Sequence, residues 1–132
     1  MKTKLDDSLG NFRTAYNRLK EATEIPKDRA LVAEGTIQRF EYVVELLWKT
    51  LNRALKYEGI KIKPDTPRET MKEGFKAGFL HDKVTWQELL NKRNESSHEY
   101  LHEDFIDEYY DEIISLTPEI EKVLIFLEER YK

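Results

Sequence analysis

Cysteine is absent from the chain, which excludes disulfides and thiolate metal sites and fits a reducing cytosol. No apolar run approaches the ~20 residues that span a bilayer. Lys2 and Lys4 lead into Asp6, Asp7 and Ser8 rather than a hydrophobic stretch, so no signal peptide is expected and the protein is expected to be soluble, cytoplasmic and off the membrane. An excess of positive charge is also missing. Lys plus Arg number 22 against 26 Asp plus Glu, for a formal charge of -4 and a pI near 5.5, the opposite of the bulk basicity that coats DNA non-specifically. DNA is therefore not an expected partner, and any nucleic-acid contact must come from a local patch. The chain also lacks a phosphate-binding loop, a dinucleotide glycine fingerprint and a serine elbow, so no nucleotide cofactor is expected. His81, His98 and His102 do not form a helical pair bracketing a glutamate, and no metal site is expected.

What is present is helical patterning. With 132 residues, 36% of them charged and 39% hydrophobic, the chain suits one core of amphipathic helices, and residues 1–132 are expected to form a single domain. Leu5, Leu9, Phe12, Tyr16 and Leu19 make one stripe over about 4–22, and Pro26 interrupts it. A second helix is predicted over about 27–57 around Ile37, Phe40, Val44, Leu47, Leu51 and Leu55, widened by Val43, Leu46 and Trp48. It is expected to form the centre of the core, with a possible break at Gly35, and Glu58-Gly59 stops it. Glu45 and Lys49 on its side face stand in the favoured order for an ion pair. Thr66-Pro67-Arg68-Glu69 is a capping box with proline at the first helical position, opening a short helix that Gly78 ends. Thr85-Trp86-Gln87-Glu88 repeats the box and is expected to launch a fourth helix. A last helix begins near Glu103 and is expected to kink or break at Pro118. No strand alternation, repeat or flexible linker is visible, so the fold class is all-α, a four- or five-helix up-and-down bundle.

The chemically dense stretch is Arg93-Asn94-Glu95-Ser96-Ser97-His98-Glu99-Tyr100. A guanidinium grips phosphate in a fork, an imidazole moves protons near neutral pH, and a phenol can act or be modified. Together they suit metal-free cleavage of a ribose phosphodiester: imidazole takes the 2′-hydroxyl proton or imidazolium protonates the leaving oxygen, while guanidinium stabilises the phosphate. Five residues apart on a helix, Arg93 and His98 stand ~140° from each other, and two subunits meeting about a two-fold axis would line one cleft with both sets. Taken alone, these residues favour a plainer role, a helix C-cap or a surface ion pair with Glu95, Glu99 or Glu103. Tyr100, Tyr109 and Tyr110 then read as half-buried rim residues, and Trp48 and Trp86 as packing. Gln38-Arg39-Phe40-Glu41 is a weaker candidate lining, with Arg39 and Glu41 expected on a solvated or interface face.

The runs Ile37 to Tyr42, Glu45 to Leu51, Thr66 to Glu69, Phe75 to Gly78 and Trp86 to Tyr100 resemble the HEPN superfamily, in its branch of nucleotidyltransferase substrate-binding proteins that includes HepT-type toxins. The resemblance implies a homodimeric helical bundle partnered by a minimal nucleotidyltransferase of the MNT type. It also implies that Arg93 and His98, with four residues between them, form the family's ribonuclease motif, that Asn94 is the polar residue assisting them, and that Tyr100 accepts AMP from the partner. On that expectation the protein is an endoribonuclease toxin, with RNA as substrate, silenced by charge and bulk placed at Tyr100. The positive field that an RNA phosphate needs would come from Lys92, Arg93 and the second subunit. The alternative is a noncatalytic subunit that presents substrate to the nucleotidyltransferase.

Overall fold

A computed structural model describes residues 2–26, 31–99 and 103–132. Those residues hold five α-helices and no strand: α1 (Lys2–Thr23), α2 (Val32–Tyr57), α3 (Pro67–Lys76), α4 (Lys83–Glu99) and α5 (Glu103–Arg130). The all-α bundle expected from the periodicity is therefore present, with five helices.

The core is built on α2, which packs against all four other helices. Ile37, Phe40, Val44, Leu47, Leu51 and Leu55 are all at most 1% exposed, while Leu46 and Trp48 at the edge of the stripe are half-buried. Contacts along its length give the topology. Thr50 Oγ1 donates to the Ser8 carbonyl near the start of α1, and Arg18 near the end of α1 shares a groove with Gly35 and Arg39, so α1 runs antiparallel to α2. Phe40 meets Tyr109, and Tyr57 meets Tyr131 just past α5, so α5 runs parallel to α2. Lys92 faces Glu112 and Trp86 faces Val123, so α4 is antiparallel to α5. The four long helices thus alternate in direction, with the short α3 set between α2 and α4.

Local chemistry explains most boundaries. Thr66 Oγ1 accepts from the Glu69 amide at 3.2 Å, with Pro67 at the first helical position. At the end of α2, Gly59 adopts φ +84° while the amides of Gly59 and Ile60 reach back to Lys56 and Leu55. Gly78 does the same for α3 at φ +83°, returning Phe79 into the core. This backbone region is open to glycine at little cost.

Three expectations are corrected. α2 begins at Val32, after Leu31 in a left-handed conformation at φ 66°, and continues unbroken through Gly35. Part of the longer start expected, 27–30, lies outside the described residues. α4 starts two residues before the expected Thr85 cap: Asp82 accepts the Trp86 amide at its carbonyl, and its carboxylate accepts the Thr85 amide and hydroxyl at 3.4 and 2.9 Å. Asp82 caps and Thr85 becomes the third helical residue, because aspartate is at least as good a cap and stands earlier. α5 passes Pro118 without the break that was one of the two outcomes expected there. An internal proline costs about 3 kcal/mol, whereas each large apolar side chain buried fully contributes about 1.5–3 kcal/mol. Ile113 and Leu116 before the proline, and Ile120, Leu124 and Leu127 after it, are all buried, which outweighs the lost bond. Among the described residues no helix is long and apolar enough to cross a membrane.

Candidate functional site

The second half of α4 is fixed from two sides. From α5, the hydroxyl of Tyr109 donates to the Lys92 carbonyl, and Lys92 Nζ pairs with Glu112 while lying 5.8 Å from the centroid of the Tyr109 ring. Tyr109 is itself held edge-on by Phe40 of α2, ring centroids 6.2 Å apart. From α2, Glu45 takes Arg93. Arg93 Nη2 stands 2.6 Å from Glu45 Oε1 and 3.4 Å from Oε2, and Trp48 Nε1 donates to the same Oε2 at 2.8 Å. The Arg93 and Glu45 side chains are 32% and 24% exposed, so this pair is screened less than a surface pair and is accessible to a ligand.

Arg93, Asn94 and His98 all lie on the continuous helix α4. Its geometry separates Arg93 from His98 by about 7.5 Å along the axis and ~140° around it. Asn94 and His98, four residues apart, share a face. Of these three, Arg93 is the one whose side chain is described. Tyr100, the expected AMP acceptor, lies outside the described residues.

Arg93 pairs with Glu45, a residue 48 positions away, while the side chains of its expected partners Glu95, Glu99 and Glu103 lie outside those described. Glu45 turns to Trp48 and Arg93, and among the described residues Lys49 has no ion pair. Trp48 is half-buried as expected, but it also orients a carboxylate. The rim role expected for Tyr109 and Tyr110 is corrected: they are 1% and 6% exposed, and Tyr109 supports α4 from the core. Trp86 is core, as its periodicity implied.

Sequence reasoning therefore missed Glu45, Trp48 and Glu112 as neighbours of the motif. The spacing of Glu45 and Trp48 places them one turn apart on α2, but nothing local joins them to α4. The electrostatics also change. Lys92 and Arg93 each face a carboxylate, so the local field is that of two anchored ion pairs rather than a bare cationic patch. A guanidinium carries five N–H donors in a fixed fork, and both Glu45 contacts use Nη2. Glu45 therefore fixes the orientation of the guanidinium through Nη2. Among the described residues no cluster of three or more histidine or carboxylate side chains could hold a metal.

Compared with known proteins, residues 7–129 match the family described as nucleotidyltransferase substrate binding protein like. No curated protein matches the chain.

Proposed function

Because the chain belongs to the nucleotidyltransferase substrate-binding protein-like family, we propose that it works beside a nucleotidyltransferase of the MNT type as a HEPN endoribonuclease toxin, a cytoplasmic homodimer whose 132 residues act as one domain. The observation that carries this reading is the seating of Arg93. A cation is held on α4 by Glu45 and Trp48 of α2, on the same unbroken helix as Asn94 and His98.

In this reading Arg93 neutralises the scissile phosphate, His98 transfers the proton of the 2′ hydroxyl or supplies one to the 5′ leaving oxygen, and Asn94 orients one of them. The attacking 2′ oxygen forms the new bond to phosphorus as the bond to the 5′ oxygen breaks, and no metal takes part. Glu45 competes with the phosphate for Arg93, so it restrains the arginine in the resting protein. At Tyr100 the phenol oxygen attacks the α-phosphorus of ATP and pyrophosphate leaves, placing a phosphodiester and an adenosine two residues from His98. That added charge and bulk opposes RNA entry.

The family's own description favours a second reading, a noncatalytic subunit that holds substrate for the nucleotidyltransferase. Cleavage of RNA by the purified, unmodified protein separates them. The expected result is cleavage that falls at least 100-fold in Arg93→Ala and in His98→Ala, consistent with loss of a general acid or base. Cleavage retained in both variants would overturn the site assignment, and none by the wild type would favour the second reading. Incubation with the partner and ATP is expected to label wild type and to spare Tyr100→Phe.

A further inference from the structure

Charge on α2 is segregated by face. Arg39, Tyr42, Leu46, Lys49 and Arg53 recur at spacings of three, four, three and four, one stripe on the helix. Glu34, Glu41 and Glu45, the acidic residues of α2, fall on a face about 100° away. Arg39, Lys49 and Arg53 are exposed, and Tyr42 is 58% exposed. Arg18 of α1 stands beside the upper end. It lines with Ala15, Gly35, Gln38, Arg39 and Tyr42 a groove of about 400 Å³, and an adjoining cleft shares Arg18, Gly35 and Arg39 and is also lined by the acid Glu21.

Among the described residues, none of Arg18, Arg39, Lys49 and Arg53 has an ion pair or side-chain hydrogen bond, in a protein where Arg13, Lys56, Lys92, Arg93 and Arg130 all pair with acids. Gly35 lies with Arg18 and Arg39 in the lining of both clefts. Gly35 lies within helix α2, where glycine costs roughly 0.5–1 kcal/mol against alanine, and a Cβ there would meet nothing within 4 Å. Neither a turn nor a close contact requires it.

We propose that this stripe is a track for a single strand of RNA, with phosphates on Arg18, Arg39, Lys49 and Arg53 and a base stacked on Tyr42. Its direction follows from the site: Tyr42 and Lys49 flank Glu45 at three residues before and four after, so a strand on the track passes within a turn of the Glu45–Arg93 pair. Arg39 to Arg53 spans about 21 Å at 1.5 Å per residue, too long for one phosphate group and suited to several nucleotides. A second copy of the chain would bring the same positive charge to the same place, so like charge disfavours that occupant. Stacking on an exposed ring along a cationic groove is how single strands bind without a sequence code. The choice of RNA rests on the ribonuclease reading, whereas the track itself does not.

The test is fluorescence anisotropy of a labelled single-stranded RNA of about 12 nucleotides, titrated with the full chain carrying His98→Ala so that the probe survives. The plot of log affinity against log salt is expected to lose about 0.7 in slope for each cation removed. Arg39→Gln/Arg53→Gln therefore loses about 1.4 in slope, with at least a tenfold weaker affinity near 0.1 M salt. Arg68→Gln on α3 is expected to leave the slope unchanged, and circular dichroism checks the fold of each variant. An unchanged slope in the double variant overturns the track. So does full competition by AMP, which would mark a small-anion pocket, or loss in the double variant of binding to the nucleotidyltransferase alone, which would mark a protein interface. Failure of the two readings is separable: cleavage with unaltered affinity in the double variant sinks the track and keeps the ribonuclease, while a salt-sensitive track on a protein that cuts nothing does the reverse.

Discussion

Glu45 accepts from two donors of different kinds, the Trp48 indole and the Arg93 guanidinium, and so ties a side chain of its own helix to one on α4. Removing it leaves a part-buried charge and a part-buried indole N–H without this acceptor. Glu45→Ala is therefore expected to cost about 1–2 kcal/mol, at the lower side of the ~1.5–3 kcal/mol for hydrogen bonds to charged groups because the pair is part-exposed, read as a lowered urea midpoint. Trp48 emission should shift as its N–H meets water. The same cost is expected to shrink when Arg93→Ala is already present, since the two residues share one interaction; strict additivity would show that Glu45 acts elsewhere. This is also where the sequence ran out. Arg93 and His98 are singled out by the resemblance rather than by their spacing, which alone does not pair them, and Glu45 is not singled out with them because it stands 48 residues from Arg93 and only packing brings α2 to that point of α4.

At the scale of the element, two helical glycines show how surroundings set the sign of one substitution. Gly10 in α1 faces open space, whereas a Cβ on Gly74 in α3 would lie 2.8 Å from Leu51 Cδ2 of α2. Leu51 is fully buried and has little room to move. Gly10→Ala is expected to stabilise by about 0.5–1 kcal/mol through helix propensity, and Gly74→Ala to destabilise by about 1 kcal/mol through overpacking. Equal shifts in denaturation midpoint would contradict this packing of α3 on α2. Element ends were legible wherever the chemistry was self-contained, as at Thr66, Gly59 and Gly78. They were less so where two caps competed, Asp82 against Thr85, or where distant burial carried α5 across Pro118.

Across the whole molecule, ion pairs fasten the ends of the bundle and set its response to pH. Arg13 of α1 holds Glu128 of α5 through two bonds, at 2.5 and 2.9 Å, and this keeps the Glu128 carboxyl below its usual range. Tyr131 and then Arg130 do the same for Glu58, and Lys56 and then Asn52 for Asp65. Burial first, and the bond to Glu58 second, pushes the Tyr131 phenol up to about 12. A depressed carboxylate favours the fold above its unfolded pKa, about 4, and this contribution is lost as pH falls through the lower folded value. A raised phenol contributes below about pH 10 and loses its contribution as pH climbs through the folded value. Stability should therefore be level between about pH 5 and 10 and fall on the acid side. Glu128→Gln is expected to shallow the acid limb in urea titrations from about pH 3 to 6; an identical limb would show that the α1–α5 pair contributes nothing.

The contact of α2 with every other helix also has a kinetic meaning. A helix whose neighbours surround it cannot open by fraying or by lifting one partner, so its central amides should exchange with deuterium only when the entire chain unfolds. Amides of α1, packed against two helices rather than four, should exchange through smaller openings, and faster exchange near Leu47 than near Phe12 would refute this ranking. Glu45 would then hold Arg93 from the slowest-moving part of the protein.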